Sequence, residues 1–231
     1  MSFFKNNLAN FLTLGNLFCG LLAIIQVFNN NMVNASYLVF LGAAFDFADG
    51  LVARALNAQS SIGKDLDSLA DMVTFGVVPG FAMYKILGIY ATGSYIPNIA
   101  LLIPLFSAWR LAKFNNDSRQ SVDFIGLPTP ANAIFFMALP FLLINDTTGF
   151  AKYIITQQNL IALILCFCFL MVSEIRLFSL KIKKFSFSEN LYPVILIVAA
   201  NVLFFTIFYA SIPIVIIMYI LLSLIKYKLV K

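Results

Sequence analysis

The stretch "FDFADGLVARALNAQSSIGKDLDSLAD", Phe45 to Asp71, sets five aspartates, one arginine and one lysine between long apolar runs. A charge beside hydrocarbon costs several kcal/mol unless it is paired, hydrated or bound to an ion, so this much ionisable material must have a purpose. The rest of the chain is 61% hydrophobic and 11% charged, with a mean hydropathy of +0.94. A soluble domain carries about a quarter of its residues charged. The solvent of this chain is therefore lipid.

A spanning helix needs about 20 largely apolar residues. Breaking the chain at Asn, Gly, Pro and charge clusters predicts eight, near 8–28, 33–56, 67–90, 96–115, 129–146, 156–179, 190–208 and 211–229. The last two are separated by "YAS" before Pro213, which permits either a tight turn or one broken helix. With the N-terminus in the cytoplasm, only Lys85 and Lys152 of the 15 Lys and Arg fall on the far side. That asymmetry fits the positive-inside rule for an even number of spans. The expectation is an all-α, polytopic membrane helical bundle of about eight transmembrane helices. It forms one domain over 1–231, integral to the cytoplasmic (inner) membrane, with both termini and the acidic stretch on the cytoplasmic face.

Other classes recede on composition. The N-terminal apolar run follows a single Lys5 and shows no clear small-x-small site, so it reads as the first span rather than a cleaved signal. Cys19, Cys166 and Cys168 have no metal or redox spacing. The net charge of +5 is explained by topology and forms no amphipathic basic stripe, so no nucleic-acid partner is expected. Lys181, Lys183 and Lys184 read as surface residues attracted to anionic membrane lipids.

Asp46 and Asp49 are three residues apart, and Asp67 and Asp71 four apart, so each pair projects from one helix face. Two helices joined by "NAQSSIGK" can aim these four carboxylates at one point. Crowded carboxylates repel strongly at low dielectric, and divalent cations remove the conflict. An all-oxygen donor set selects hard ions, Mg²⁺ or Mn²⁺, and four aspartates are enough for two of them. Gly50 and Ala53 keep one helix face low enough for a flat group to lie against it, Arg54 offers a fork to a phosphate, and Gly63 opens the next helix.

In register, these residues read D-x-x-D-G-x-x-A-R-x8-G-x-x-x-D-x-x-x-D, filled by Asp46, Asp49, Gly50, Ala53, Arg54, Gly63, Asp67 and Asp71. The pattern resembles the signature of the CDP-alcohol phosphotransferases. "TLGNLFCGLLAI", "DSLADMVTFGVVPG", "WRLAKFNND" and "DFIGLPTPANA" resemble the phosphatidylserine synthase branch, so the likeness runs from Thr13 to about Ala133. It implies transfer of the phosphatidyl group from CDP-diacylglycerol to L-serine, with release of CMP. It also implies a six-helix catalytic core, here about 1–180, extra C-terminal helices at about 190–229, and a homodimer.

The resemblance also implies roles. Asp46, Asp49 and Asp67 would be the main metal ligands, and Asp71 would complete the site and take the proton of the serine hydroxyl. The chain has no histidine to act as a base. Spacing alone leaves open an aspartate nucleophile and a covalent intermediate. Asp46, Gly50, Ala53, Arg54 and Gly63 would contact CMP, with Ser68 and Asn16 as further nucleotide contacts. Arg110 and Lys113, ending the fourth span, and Thr129 and Asn132, opening the fifth, are the acceptor-site candidates.

Two rivals share part of this pattern. Enzymes that take glycerol 3-phosphate or inositol phosphate carry the same acidic signature. A cation transporter would also use intramembrane carboxylates, but it gives no reason for Arg54 between the two pairs.

Overall fold

The computed structural model describes residues 2–57, 60–91, 93–117, 119, 124–145, 151–178 and 187–229. Lys181, Lys183 and Lys184 lie outside them. Helix α1 (Ser2–Phe28) turns at Asn30, which adopts φ 59°, into α2 (Met32–Ala55). Asn57, at φ 50°, ends that hairpin. Ser60 then caps α3 (Ser61–Asp71), its hydroxyl accepting from the Gly63 amide at 3.0 Å. The rod continues through a π-helical turn, Met72–Val77, into α4 (Val78–Tyr90), with Pro79, which has no amide to donate, directly after the turn.

A 3₁₀ segment, Ile96–Leu101, leads into α5 (Leu102–Asn116). Strand β1 (Phe124–Ile125) precedes α6 (Thr129–Asn145), the short α7 (Ala151–Ile154) and α8 (Gln157–Val172). Strand β2 (Arg176–Leu177) pairs antiparallel with β1, Phe124 opposite Leu177. Helices α9 (Phe187–Ile207) and α10 (Ser211–Leu229) pack on each other across the 3₁₀ turn Phe208–Ala210. Phe208 there takes φ 46°, so "YAS" is a corner between two helices and not a bend in one.

Each of the eight predicted stretches contains a helix. Four segments are long and apolar enough to cross a membrane by length and composition: Asn7–Phe28, Met32–Ala55, Ser61–Tyr90 and Leu191–Tyr227. The protein is a membrane protein. Phe47 and Phe169, each 66% exposed, belong to a broad apolar surface that only lipid can solvate. Inside, Phe75, Phe136 and Phe178 are fully buried among Val39, Met83, Ile103 and Leu139.

The helical fold carries one extended feature. Residues 170–178 form a strap across 124–127, in which Gly126 N donates to Ile175 O at 2.8 Å and Leu127 N to Leu170 O at 2.9 Å. Short strands satisfy this buried backbone where neither segment can continue a helix. Gly126 has φ 75°, and a Cβ there would lie 2.4 Å from Met171 O, so only glycine allows the crossing.

The π turn anchors the end of α3 against α1. Thr74 Oγ1 donates to Asn16 O at 3.0 Å, tying α3 and α4 to α1 directly after Asp71. A Cβ on Gly20 would meet that oxygen at 2.4 Å, and one on Gly42 would meet Thr74 Cγ2 at 2.8 Å. These glycines let three helices close on one point, and π turns of this kind recur at functional sites.

Candidate functional site

Helix α1 presents Thr13 and Asn16 on one face, three residues apart, to the carboxylates of its neighbours. Thr13 Oγ1 donates to Asp49 Oδ2 at 2.6 Å, and Asn16 Nδ2 donates to Asp71 Oδ1 at 3.1 Å. Each of these bonds fixes a carboxylate before any ligand arrives. Asp46, Asp49 and Asp67 each offer an oxygen within 4.8 Å of the others. Asp71 is buried beside this trio, on the side of Asp46 and Asp67. Thus three of the four expected carboxylates converge, and the fourth is set back against Asn16.

The donor set fits a hard divalent cation. Three carboxylates from two helices crowd together, and Asp67 Oδ1 is buried with no hydrogen-bond partner among the described residues. An orphaned buried carboxylate oxygen is costly, and a bound cation relieves it.

Beside the trio opens a cleft of about 620 Å³. Gly50, Ala53, Arg54 and Gly63 line it, together with Asp49 and Asp67. The Arg54 guanidinium folds over Gly50, its Nη1 3.4 Å from where a Cβ would stand. Asn10, Thr13, Lys64 and Phe114 also line the cleft and were absent from the expected set. Thr13 could have been found from its spacing to Asn16 on an otherwise apolar helix. Asn16, Asp46 and Ser68 are not among the lining residues; Ser68 Oγ accepts from Asn115 Nδ2 at 2.7 Å, between α3 and α5.

The expected acceptor residues separate. Arg110 is 5% exposed, with its guanidinium 4.6 Å from the centre of the Phe114 ring, and it feels Asp71, Asp46 and Asp67 together with Tyr219 of α10. Among the described residues no carboxylate lies within 4.0 Å of it, and its Nε is buried without a partner. Thr129 Oγ1 and both side-chain polar atoms of Asn132 are likewise buried and unpartnered among the described residues. Lys113 is turned elsewhere: its Nζ donates to Val172 O at 3.2 Å and pairs with Glu174 of the strap. Arg119 pairs with Asp117 at 2.7 Å and with Glu174 at 3.1 Å.

The CDP-alcohol phosphatidyltransferase model matches residues 6–226, nearly the whole chain, α9 and α10 included. The chain belongs to this family. It is 36% identical over 151 residues to the CDP-diacylglycerol–serine O-phosphatidyltransferase of Bacillus subtilis, covering 63% of this chain and 85% of that protein. A Helicobacter pylori protein of the same name is 36% identical over 173 residues, 72% of this chain and 70% of the relative. One from Methanocaldococcus jannaschii is 34% identical over 134 residues, 56% and 58% of the two chains.

Proposed function

We propose that this family member transfers the phosphatidyl group of CDP-diacylglycerol to the hydroxyl of L-serine, giving phosphatidylserine and CMP. The observation that carries the choice of acceptor is the name shared by the three relatives, and Arg110 fits it. The buried Arg110 guanidinium forms no ion pair among the described residues, which suits an anionic ligand, and serine brings a carboxylate.

In this reading Asp46, Asp49, Asp67 and Asp71 would hold divalent metal, Mg²⁺ or Mn²⁺, as two ions. When bound, these supply Lewis-acid stabilisation of the diphosphate and of the departing CMP. Gly50, Ala53 and Gly63 leave room for the nucleotide along the cleft, and Arg54 lies ready for its phosphate. Asn16 engages one oxygen of Asp71, and the carboxylate takes the serine proton. The serine oxygen then bonds the lipid-bearing phosphorus as the bond from phosphorus to CMP breaks. Arg110 binds the serine carboxylate, while Thr129 and Asn132 provide hydrogen bonds at the start of α6.

Eight crossing helices with both termini in the cytoplasm would open this site to soluble serine at the inner membrane, in a homodimer. The test uses purified protein in detergent with CDP-diacylglycerol and Mg²⁺ or Mn²⁺, following CMP and lipid product. Serine-dependent phosphatidylserine that disappears with EDTA is the expected result. Turnover with glycerol 3-phosphate or inositol phosphate and not with serine would overturn the acceptor, and ion flux without CMP release would move the protein to the transport class.

A further inference from the structure

We infer that Thr13 of α1 is a positioning residue for Asp49, and that its grip on that carboxylate makes the site select a small octahedral divalent cation over a larger one such as Ca²⁺. This rests on the reading of the aspartate trio as a metal site. Thr13 is 3% exposed and Asp49 7%. The hydroxyl has one proton and two acceptors in reach, Asp49 Oδ2 at 2.6 Å and Ala9 O, one turn back, at 3.1 Å. A threonine that only satisfies itself inside a helix donates to the carbonyl four residues back. Here the shorter contact crosses from α1 to α2, at the length of a charge-assisted bond to an ionised carboxylate. Both residues line the cleft, so the bond lies at its wall.

A carboxylate free to turn about its last bond can offer a cation one oxygen or both. Ca²⁺ takes about six to eight oxygens at roughly 2.3–2.6 Å, often two from one carboxylate, whereas Mg²⁺ demands a near-ideal octahedron at about 2.0–2.1 Å. Selection between them therefore depends on how many oxygens the ligands present and how freely they turn. With Oδ2 tied to Thr13, the plane of the Asp49 carboxylate is set before an ion arrives, and turning both oxygens onto one ion would break the bond. The holder is itself held. A Cβ on Gly15 would stand 3.2 Å from the Phe45 ring, so α1 lies close enough to α2 for a side chain as short as threonine to span the gap. Three residues after Thr13, Asn16 O accepts from Thr74 Oγ1 at 3.0 Å, which pins α1 to the π turn.

The test needs no turnover. Mn²⁺ binding to the full-length protein in detergent is followed by electron spin resonance, and Ca²⁺ is then added to displace it. Thr13→Val, close in size but without the hydroxyl, should bind Mn²⁺ about tenfold more weakly, the usual loss for the outer partner of a metal ligand, and should hold Ca²⁺ within about twofold of the wild type. The preference for Mn²⁺ over Ca²⁺ then falls at least about fivefold. Thr13→Ser keeps the hydroxyl and should match the wild type. In an Asp49→Asn background Thr13→Val should add nothing, because Thr13 acts through Asp49. Where Thr13→Val fails to fold, Thr13→Ala, which needs no extra space, gives the same comparison. An unchanged preference, whether both ions weaken together or neither does, overturns the inference while the metal reading stands. So does a Thr13→Ser protein that behaves as Thr13→Val, since packing and not the hydroxyl would then set the site. A wild type that binds no Mn²⁺ overturns both.

Discussion

The carboxylate side of the proposed site is built from α1, α2 and α3, consecutive in the chain, whereas its proposed acceptor side draws Arg110 from α5 and Thr129 and Asn132 from α6. On the first side Thr13 holds Asp49 and Asn16 holds Asp71, and Asp67 Oδ1 alone of the carboxylate oxygens is buried without a partner among the described residues. On the second, Arg110 Nε, Thr129 Oγ1 and the Asn132 amide have none among the described residues. A charge cluster that must hold metal is fixed in advance, because scattered carboxylates would have to be gathered against their own repulsion. In the proposed reading, the side that takes a small soluble acceptor keeps its donors free.

The largest effects should therefore fall on the carboxylate side. Asp67→Asn removes a member of the trio, and CMP release should fall to background; Mn²⁺ binding followed by electron spin resonance should weaken with it. Retained metal affinity would mean that the ions sit elsewhere. Asp71→Asn should lose about 10² to 10⁴-fold in turnover, the usual range for a general base, while CDP-diacylglycerol still binds. Burst release of CMP without serine in that variant would instead favour a covalent intermediate.

The same asymmetry decided what could be read from the sequence. Eight fixed positions between Asp46 and Asp71 placed the acidic pairs because a helix puts residues three and four apart on one face. The helices themselves followed from apolar runs bounded by Asn, Gly and Pro. The proposed acceptor side has no such compact pattern. Arg110 and Lys113 look alike three residues apart, yet one is buried facing Asp71 and the other pairs with Glu174. Only the strap separates them, and two-residue strands leave no periodic signal.

A middle-sized effect is expected at Arg110. Arg110→Lys keeps the charge but loses the fork, and should raise the serine KM about tenfold with little change in the donor KM. An equal loss in both would mean that Arg110 serves the diphosphate, and the two sides of the proposed site would then not be separate. Gly20→Ala tests the scaffold in place of the chemistry. Its Cβ, at 2.4 Å from Thr74 Oγ1 and 3.1 Å from Thr74 Cα, must push α1 from the π turn, at a cost of about 1–3 kcal/mol. Thermal unfolding in detergent should show the loss, and unchanged stability would mean that the π turn yields easily.

The smallest effect concerns the ion network of Lys113, Arg119 and Glu174. The hydrogen bond from Lys113, then the nearby Arg119, hold the Glu174 carboxyl below its ordinary value of 4.5. A carboxyl with a depressed folded-state pKa stabilises the fold above its unfolded value, and that contribution disappears as pH falls through the folded value. The network should therefore be intact at neutral pH and fail only under acid conditions below the ordinary carboxylate range. Because Glu174 and Arg119 are exposed, salt screens the attraction. Glu174→Gln should shift the unfolding temperature by no more than about 2 °C at neutral pH, and the difference from wild type should vanish in acid and shrink in high salt. If the variant instead raised the serine KM severalfold with stability unchanged, Lys113 released from its partner would be reaching the acceptor. The division between a free Arg110 and a committed Lys113 would then be set by Glu174, and not by the helix that carries them both.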